Sequence, residues 1–158
     1  MKERAPMLDT LKRLINDLSG SPKPEFLEGD SRLAAAALMF HMSAVDGNVE
    51  PEEMAKLEEL LSQHYGLAGD ETKKLVSTAK EKDAEAVDLY GFTSVLKNKL
   101  SEEERIELIE MLWQIVYVDG AVHEFEDNTI WRIAELLGVS TKDRMAMKRK
   151  VAAKHQSQ

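Results

Sequence analysis

The stretch MSAVDGNVEPEE, residues 42–53, decides how this chain folds. An apolar run ends at Val45, an Asp-Gly pair follows, and Pro51 opens a new segment that carries Glu53. Residues 115–126, IVYVDGAVHEFE, repeat the pattern 73 positions later. Placing Asp46 on Asp119 also places Gly47 on Gly120, Val49 on Val122 and Glu53 on Glu126. Beyond the corner, Leu57 falls on Ile130 and Leu60 on Ile133; before it, Leu38 falls on Met111 and Met42 on Ile115. Each unit reads as a hydrophobic helix, an Asp-Gly corner and an amphipathic helix. Two such hairpins are expected to pack on each other.

The corner spacing matches the second half of a calcium-binding EF-hand loop, with Asp at the fifth position, Gly at the sixth and Glu at the twelfth. The first and third positions of such a loop also need oxygen ligands. Here they are Met42 and Ala44, then Ile115 and Tyr117. Apolar side chains cannot coordinate a hard cation, so neither corner is a self-sufficient EF-hand. Helix chemistry accounts for much of the pattern: glycine accepts the left-handed backbone that ends a helix. A glutamate at the third position of the next helix reaches back to unpaired N–H groups. Capping explains one corner better than it explains two that keep the same aspartate and glutamate. If the hairpins face one another, Asp46, Glu53, Asp119 and Glu126 converge as four carboxylates. These repel unless a cation, protons or basic side chains compensate. Glu50 and His123 stand close enough in sequence to add ligands.

The remaining elements follow from periodicity and punctuation. Met7, Leu8, Leu11, Leu14, Ile15 and Leu18 mark an amphipathic helix over about residues 3–18, and SGSPKPEFLEGD breaks it as a linker. This stripe could pack on the rest of the chain, dock a partner or lie on a membrane. Packing is favoured, and Asp9 and Asp17 oppose the membrane. A nearly apolar helix spans Ser31–Ala44. The next starts at Pro51, suited to a first helical position, and stops at Gly66. Helices near 71–82 and 84–99 connect the two hairpins. Ser101 with Glu104 forms a capping-box signature opening the sixth helix. A seventh spans about 124–137 and stops at Gly138, and the last begins after Ser140 or Thr141. The expected organisation is an N-terminal helix and linker over residues 1–30, then an all-α domain over residues 31–154.

Composition narrows the function. The 158 residues carry a net charge of −8, and an acidic surface disfavours nucleic acid as a partner. There is no cysteine, which excludes disulfides, thiolate metal sites and cysteine nucleophiles. No run approaches the roughly 18–20 apolar residues that cross a bilayer. The charged N-terminus is no secretory signal, so a cytoplasmic protein without stable membrane insertion is expected. No P-loop, G-x-S-x-G or G-x-G-x-x-G occurs, leaving hydrolase and nucleotide readings without their usual warrant. Among the histidines, His41 is expected to be a satisfied core residue, and His64 to meet the carbonyls ending its helix. His155 falls in a tail expected to fray. Trp113 and Trp131 have core spacing and are expected to pack.

The segments SAVDGNVEPEEMAKLEELL and VYVDGAVHEFEDNTIWRIAELLGV resemble the paired signatures of the tellurite-resistance protein B (TerB-like) family. The likeness runs from about Arg32 to Val151. The N-terminal helix and linker resemble the extension of a stand-alone bacterial branch. Val45 and Val118 replace the alanine that precedes the aspartate in the family's form, a conservative departure. The resemblance implies an all-α bundle of seven or eight helices, sharing its shape with the N-terminal domain of a DnaJ-like co-chaperone. It also implies an acidic cluster for a divalent metal, carried onto Asp46, Glu53, Asp119 and Glu126, and an association with tellurite or other chemical stress. The expected function is a non-enzymatic module binding a divalent cation, calcium before zinc because the ligands are oxygens. The alternative is a metal-free interaction domain whose acidic corners only cap helices, acting through a protein partner or as a homodimer.

Overall fold

The first helix among the described residues begins where Asp30 turns its carboxylate onto the backbone. Its side chain accepts the Arg32 N–H at 2.8 Å and pairs with the Arg32 guanidinium at 2.7 Å, and that guanidinium covers the buried Phe26 ring. The side-chain bond from Arg32 holds the Asp30 carboxyl below its ordinary range. A computed structural model describes residues 26–45, 47 and 49–156 of the chain. The helix expected over residues 3–18, most of its linker, and Asp46 lie outside the described residues.

Seven α-helices and one 3-10 turn follow, with no strand among the described residues. Helix α1 (Ser31–Ala44) is the centre of the bundle: from Leu33 to Phe40 every side chain is buried. The four alanines Ala34–Ala37 favour the helix and let neighbouring backbones come close. Helix α2 (Pro51–Tyr65) folds back on α1, and α3 (Gly69–Glu85) packs along it. Helix α4 (Tyr90–Lys99) bridges α1 to the second half. Helix α5 (Glu102–Val116) lies against α1 and α2. It runs into the 3-10 turn Tyr117–Asp119, and then α6 (Glu124–Leu137) and α7 (Thr141–Gln156) pack over it.

The expected all-α class and the two helix–corner–helix hairpins are what the chain forms. Leu57 and Ile130 are fully buried, as are Met42 and Ile115, so the aligned apolar positions of both hairpins face the shared core. Burying each such side chain contributes about 1.5–3 kcal/mol. Gly66 and Gly138 end α2 and α6 in the left-handed conformation, and Ser101 accepts the Glu104 N–H while Glu104 accepts that of Ser101.

The third and fourth helices differ from expectation. Helix α3 starts at Gly69 rather than near Glu71, because the Glu71 carboxylate accepts the Ala68 N–H at 2.8 Å and so occupies the third position. It also runs on to Glu85, past Asp83, which is held across the bundle by His41 at 3.0 Å. Asp88 then accepts the Tyr90 N–H at 3.0 Å and places the start of α4 six residues later than the expected Ala84.

Candidate functional site

The two corners are built by the same hydrogen bonds. In the first, Gly47 N–H donates to Ala44 O at 2.9 Å; in the second, Gly120 N–H donates to Tyr117 O at 2.9 Å. Both glycines have positive φ, +81° and +88°, which the reversal of the chain requires. One turn later, Met54 N–H donates to Glu50 O and Asp127 N–H to His123 O. Glu53 returns to the Glu50 N–H at 3.4 Å, and Glu126 to the His123 N–H at 3.0 Å. Every one of these bonds is shifted by the sequence repeat.

Glu53 and Glu126 are also buried, at 8% and 4% exposure. Their helix positions explain this. Glu53 precedes Leu57, Leu60 and Leu61 on the inward face of α2, and Glu126 precedes Ile130, Ile133 and Leu137 on that of α6. A buried carboxylate is costly unless hydrogen-bonded or charge-paired. The cap bonds supply part of that compensation.

Asp119 is half-exposed. One of its oxygens accepts the Ala121 N–H at 3.2 Å, and the other faces His123 Nε2 at 3.7 Å. The side chains of Asp119 and His123 thereby meet at the second corner, while Glu126 returns to the His123 backbone and Glu53 to that of Glu50. The 3-10 turn that carries Asp119 packs against α2, the helix leaving the first corner. Among the described residues, no three carboxylates or histidines form a group that could hold a metal ion. Asp46, the fourth carboxylate of the expected set, lies outside those residues.

Sequence reasoning missed what surrounds the second corner. Helix α7 extends to Gln156, so His155 is helical rather than frayed, its ring 6.2 Å from that of Tyr117. A methyl group on Gly120 would stand 3.8 Å from His155 Nε2. Lys56, Lys154 and His155 line a small hollow beside Tyr117, bringing basic side chains from two helices toward the acidic corner. The last turn of α7 is linked to this corner only through space, so no local signal could have disclosed it.

The other singled-out residues divide. Trp113 is fully buried, its indole N–H donating to Arg144 O at 3.2 Å and Lys148 Nζ lying 5.1 Å from its ring centre. Trp131 is instead 46% exposed and, with Phe125, His41 and Leu89, borders a groove of about 360 Å³. The core-packing expectation fails there because Trp131 follows the inward-facing Ile130 and points away from the bundle. His41 is half-buried and paired with Asp83, and His64 stands edge-on to the Tyr65 ring at 4.7 Å.

Both corners fall within the part of the chain that matches a known family. The model of the family described as "Tellurite resistance protein TerB" matches residues 32–149. The chain belongs to the TerB family. The match covers both corners and all of α2 to α6, and it begins inside α1 and ends inside α7. No curated protein and no solved structure gives a significant match. For this TerB chain the donor chemistry available at the corners is all oxygen apart from His123, which fits a hard divalent cation better than a soft one. No helix among the described residues is long and apolar enough to cross a membrane.

Proposed function

We propose that this TerB chain is a non-enzymatic cytoplasmic module that binds a divalent cation at its paired acidic corners and serves in the response to tellurite or related chemical stress. The observation that carries the reading is the burial of Glu53 and Glu126 at equivalent places in two hairpins. A cation lowers the cost of burying such carboxylates. Asp46, Glu53, Asp119 and Glu126 would hold it, with Glu50 and His123 as additional ligands, and calcium is favoured over zinc. The bound ion would supply fixed positive charge tying one hairpin to the other, and no bond-making chemistry.

A second reading is favoured by a specific observation. The bond from His123 N–H to Glu126 at 3.0 Å is what a helix cap alone requires, and the exposed Phe125 and Trp131 offer a surface for a protein partner. In that reading the corners only shape the fold and the module is a metal-free interaction domain. Calorimetric titration with calcium, magnesium, manganese and zinc separates the two. The cation reading expects saturable calcium binding that is lost in Asp46→Ala/Asp119→Ala. It fails if no cation binds below millimolar concentration.

A further inference from the structure

The groove beside Trp131 carries polar groups that the fold itself does not use. Helix α6 forms one wall, with Phe125, Asn128 and Arg132 at i, i+3 and i+7 on a single face and Trp131 at its edge. His41, near the end of α1, and Leu89, just before α4, form the other wall. His41 Nδ1 lies 3.0 Å from Asp83 Oδ1. A carboxylate only accepts, so Nδ1 carries a proton and the neutral ring keeps Nε2 as an acceptor. Among the described residues nothing bonds to that Nε2, to the Asn128 side-chain amide or to the Arg132 guanidinium. Arg132 is also the sole fully charged side chain among the described residues that line the groove. Asp83 and the α6 carboxylates Glu124 and Glu135 lie off that lining, and Glu135, three positions past Arg132, makes no ion pair with it.

We infer that this groove binds a small aromatic acid carrying a hydroxyl or N–H donor. Its carboxylate pairs with Arg132, whose planar fork suits a two-oxygen acceptor. Its ring packs against Phe125 and Trp131, 71% and 46% exposed in the open groove. The donor across the ring meets His41 Nε2, and Asp83 holds the imidazole in place for that contact. A volume of about 360 Å³ lies at the lower end of the range of small-molecule sites, which suits one ring with polar groups at its two ends. Local charge selects an anion although the chain carries −8 overall, because the described lining holds a cation and no carboxylate. The groove takes no residue of the acidic corners, so the inference is independent of a cation there.

Titration of 4-hydroxyphenylacetate into the isotope-labelled full chain, followed by NMR, tests the site. The Trp131 indole N–H and the Asn128 side-chain amide should shift saturably, with a Kd below about 1 mM. The buried Trp113 indole serves as an internal control and should not move. Arg132→Gln, at an exposed position with no partner to lose, should keep the fold and weaken binding about tenfold or more. The uncharged 4-hydroxyphenylacetamide should lose as much against wild type, and phenylacetate, which lacks the hydroxyl, about threefold. No saturable shift up to about 10 mM, equal binding of either analogue, or undiminished binding by Arg132→Gln would each overturn the inference. Such a failure leaves the cation reading as it stands, since calcium titration reads that separately.

Discussion

Replacing Glu126 distinguishes a helix cap from a cation ligand. In the folded chain the Glu126 carboxylate is 4% exposed and accepts the His123 N–H at 3.0 Å. Glu126→Ala removes a hydrogen bond to a charged acceptor, about 1.5–3 kcal/mol, together with roughly one buried methylene, about 0.8 kcal/mol. The expected loss is about 2–4 kcal/mol, a fall in Tm of roughly 5–15 °C for a chain of this size. Glu126→Gln keeps the acceptor oxygen and the packing and removes only the charge, so in chelator it should cost less than about 1 kcal/mol. Calcium at about 100 times Kd should raise the wild-type stability by about 2.7 kcal/mol and neither variant's by a comparable amount. Thermal unfolding followed by circular dichroism, in chelator and in calcium, reads both effects. If Glu126→Gln falls as far as Glu126→Ala in chelator, the capping argument is wrong. If calcium stabilises Glu126→Gln as much as wild type, Glu126 is no ligand.

Gly47→Ala and Gly120→Ala should each destabilise by about 1–2 kcal/mol because their φ values are +81° and +88°, whereas Gly91→Ala, inside α4 with open space around it, should be neutral or stabilising; urea midpoints decide. Trp113→Phe leaves Arg144 O without its 3.2 Å indole donor and a gap in the core, and should lower the urea midpoint by an amount equivalent to about 2–3 kcal/mol with the slope unchanged. Burial pushes the Tyr65 phenol up from 10.0 to about 12. The folded chain therefore keeps that proton where the unfolded chain has released it, and stability should fall as pH rises through 10 toward 12. Phenolate absorbance should show a step near pH 12 that Tyr65→Phe abolishes.

Features fixed by near neighbours in the chain could be read from sequence. Pro51 and Gly66 bound α2, Gly138 ends α6, and Ser101 with Glu104 starts α5, because caps and left-handed turns are made by residues within four positions of one another. The duplicated corner was legible for the same reason: its glycine turn and returning glutamate are bonds over three positions. The break between α3 and α4 was not. Although Asp88 caps α4 locally, α3 is carried past Asp83 by an aspartate–histidine pair spanning 42 positions.

Sequence by itself therefore determined the class of the fold, the repeat and the TerB membership, since helical periodicity and turn chemistry are written within a few residues. Only the tertiary structure decided that Glu126 is buried while Trp131 is exposed, and that His155 reaches Tyr117 from the far end of the chain. The physical reason is that burial and charge compensation depend on which distant helices close over a residue. Those contacts arise when α1 draws the other helices around its apolar surface, a collective result that no single segment encodes.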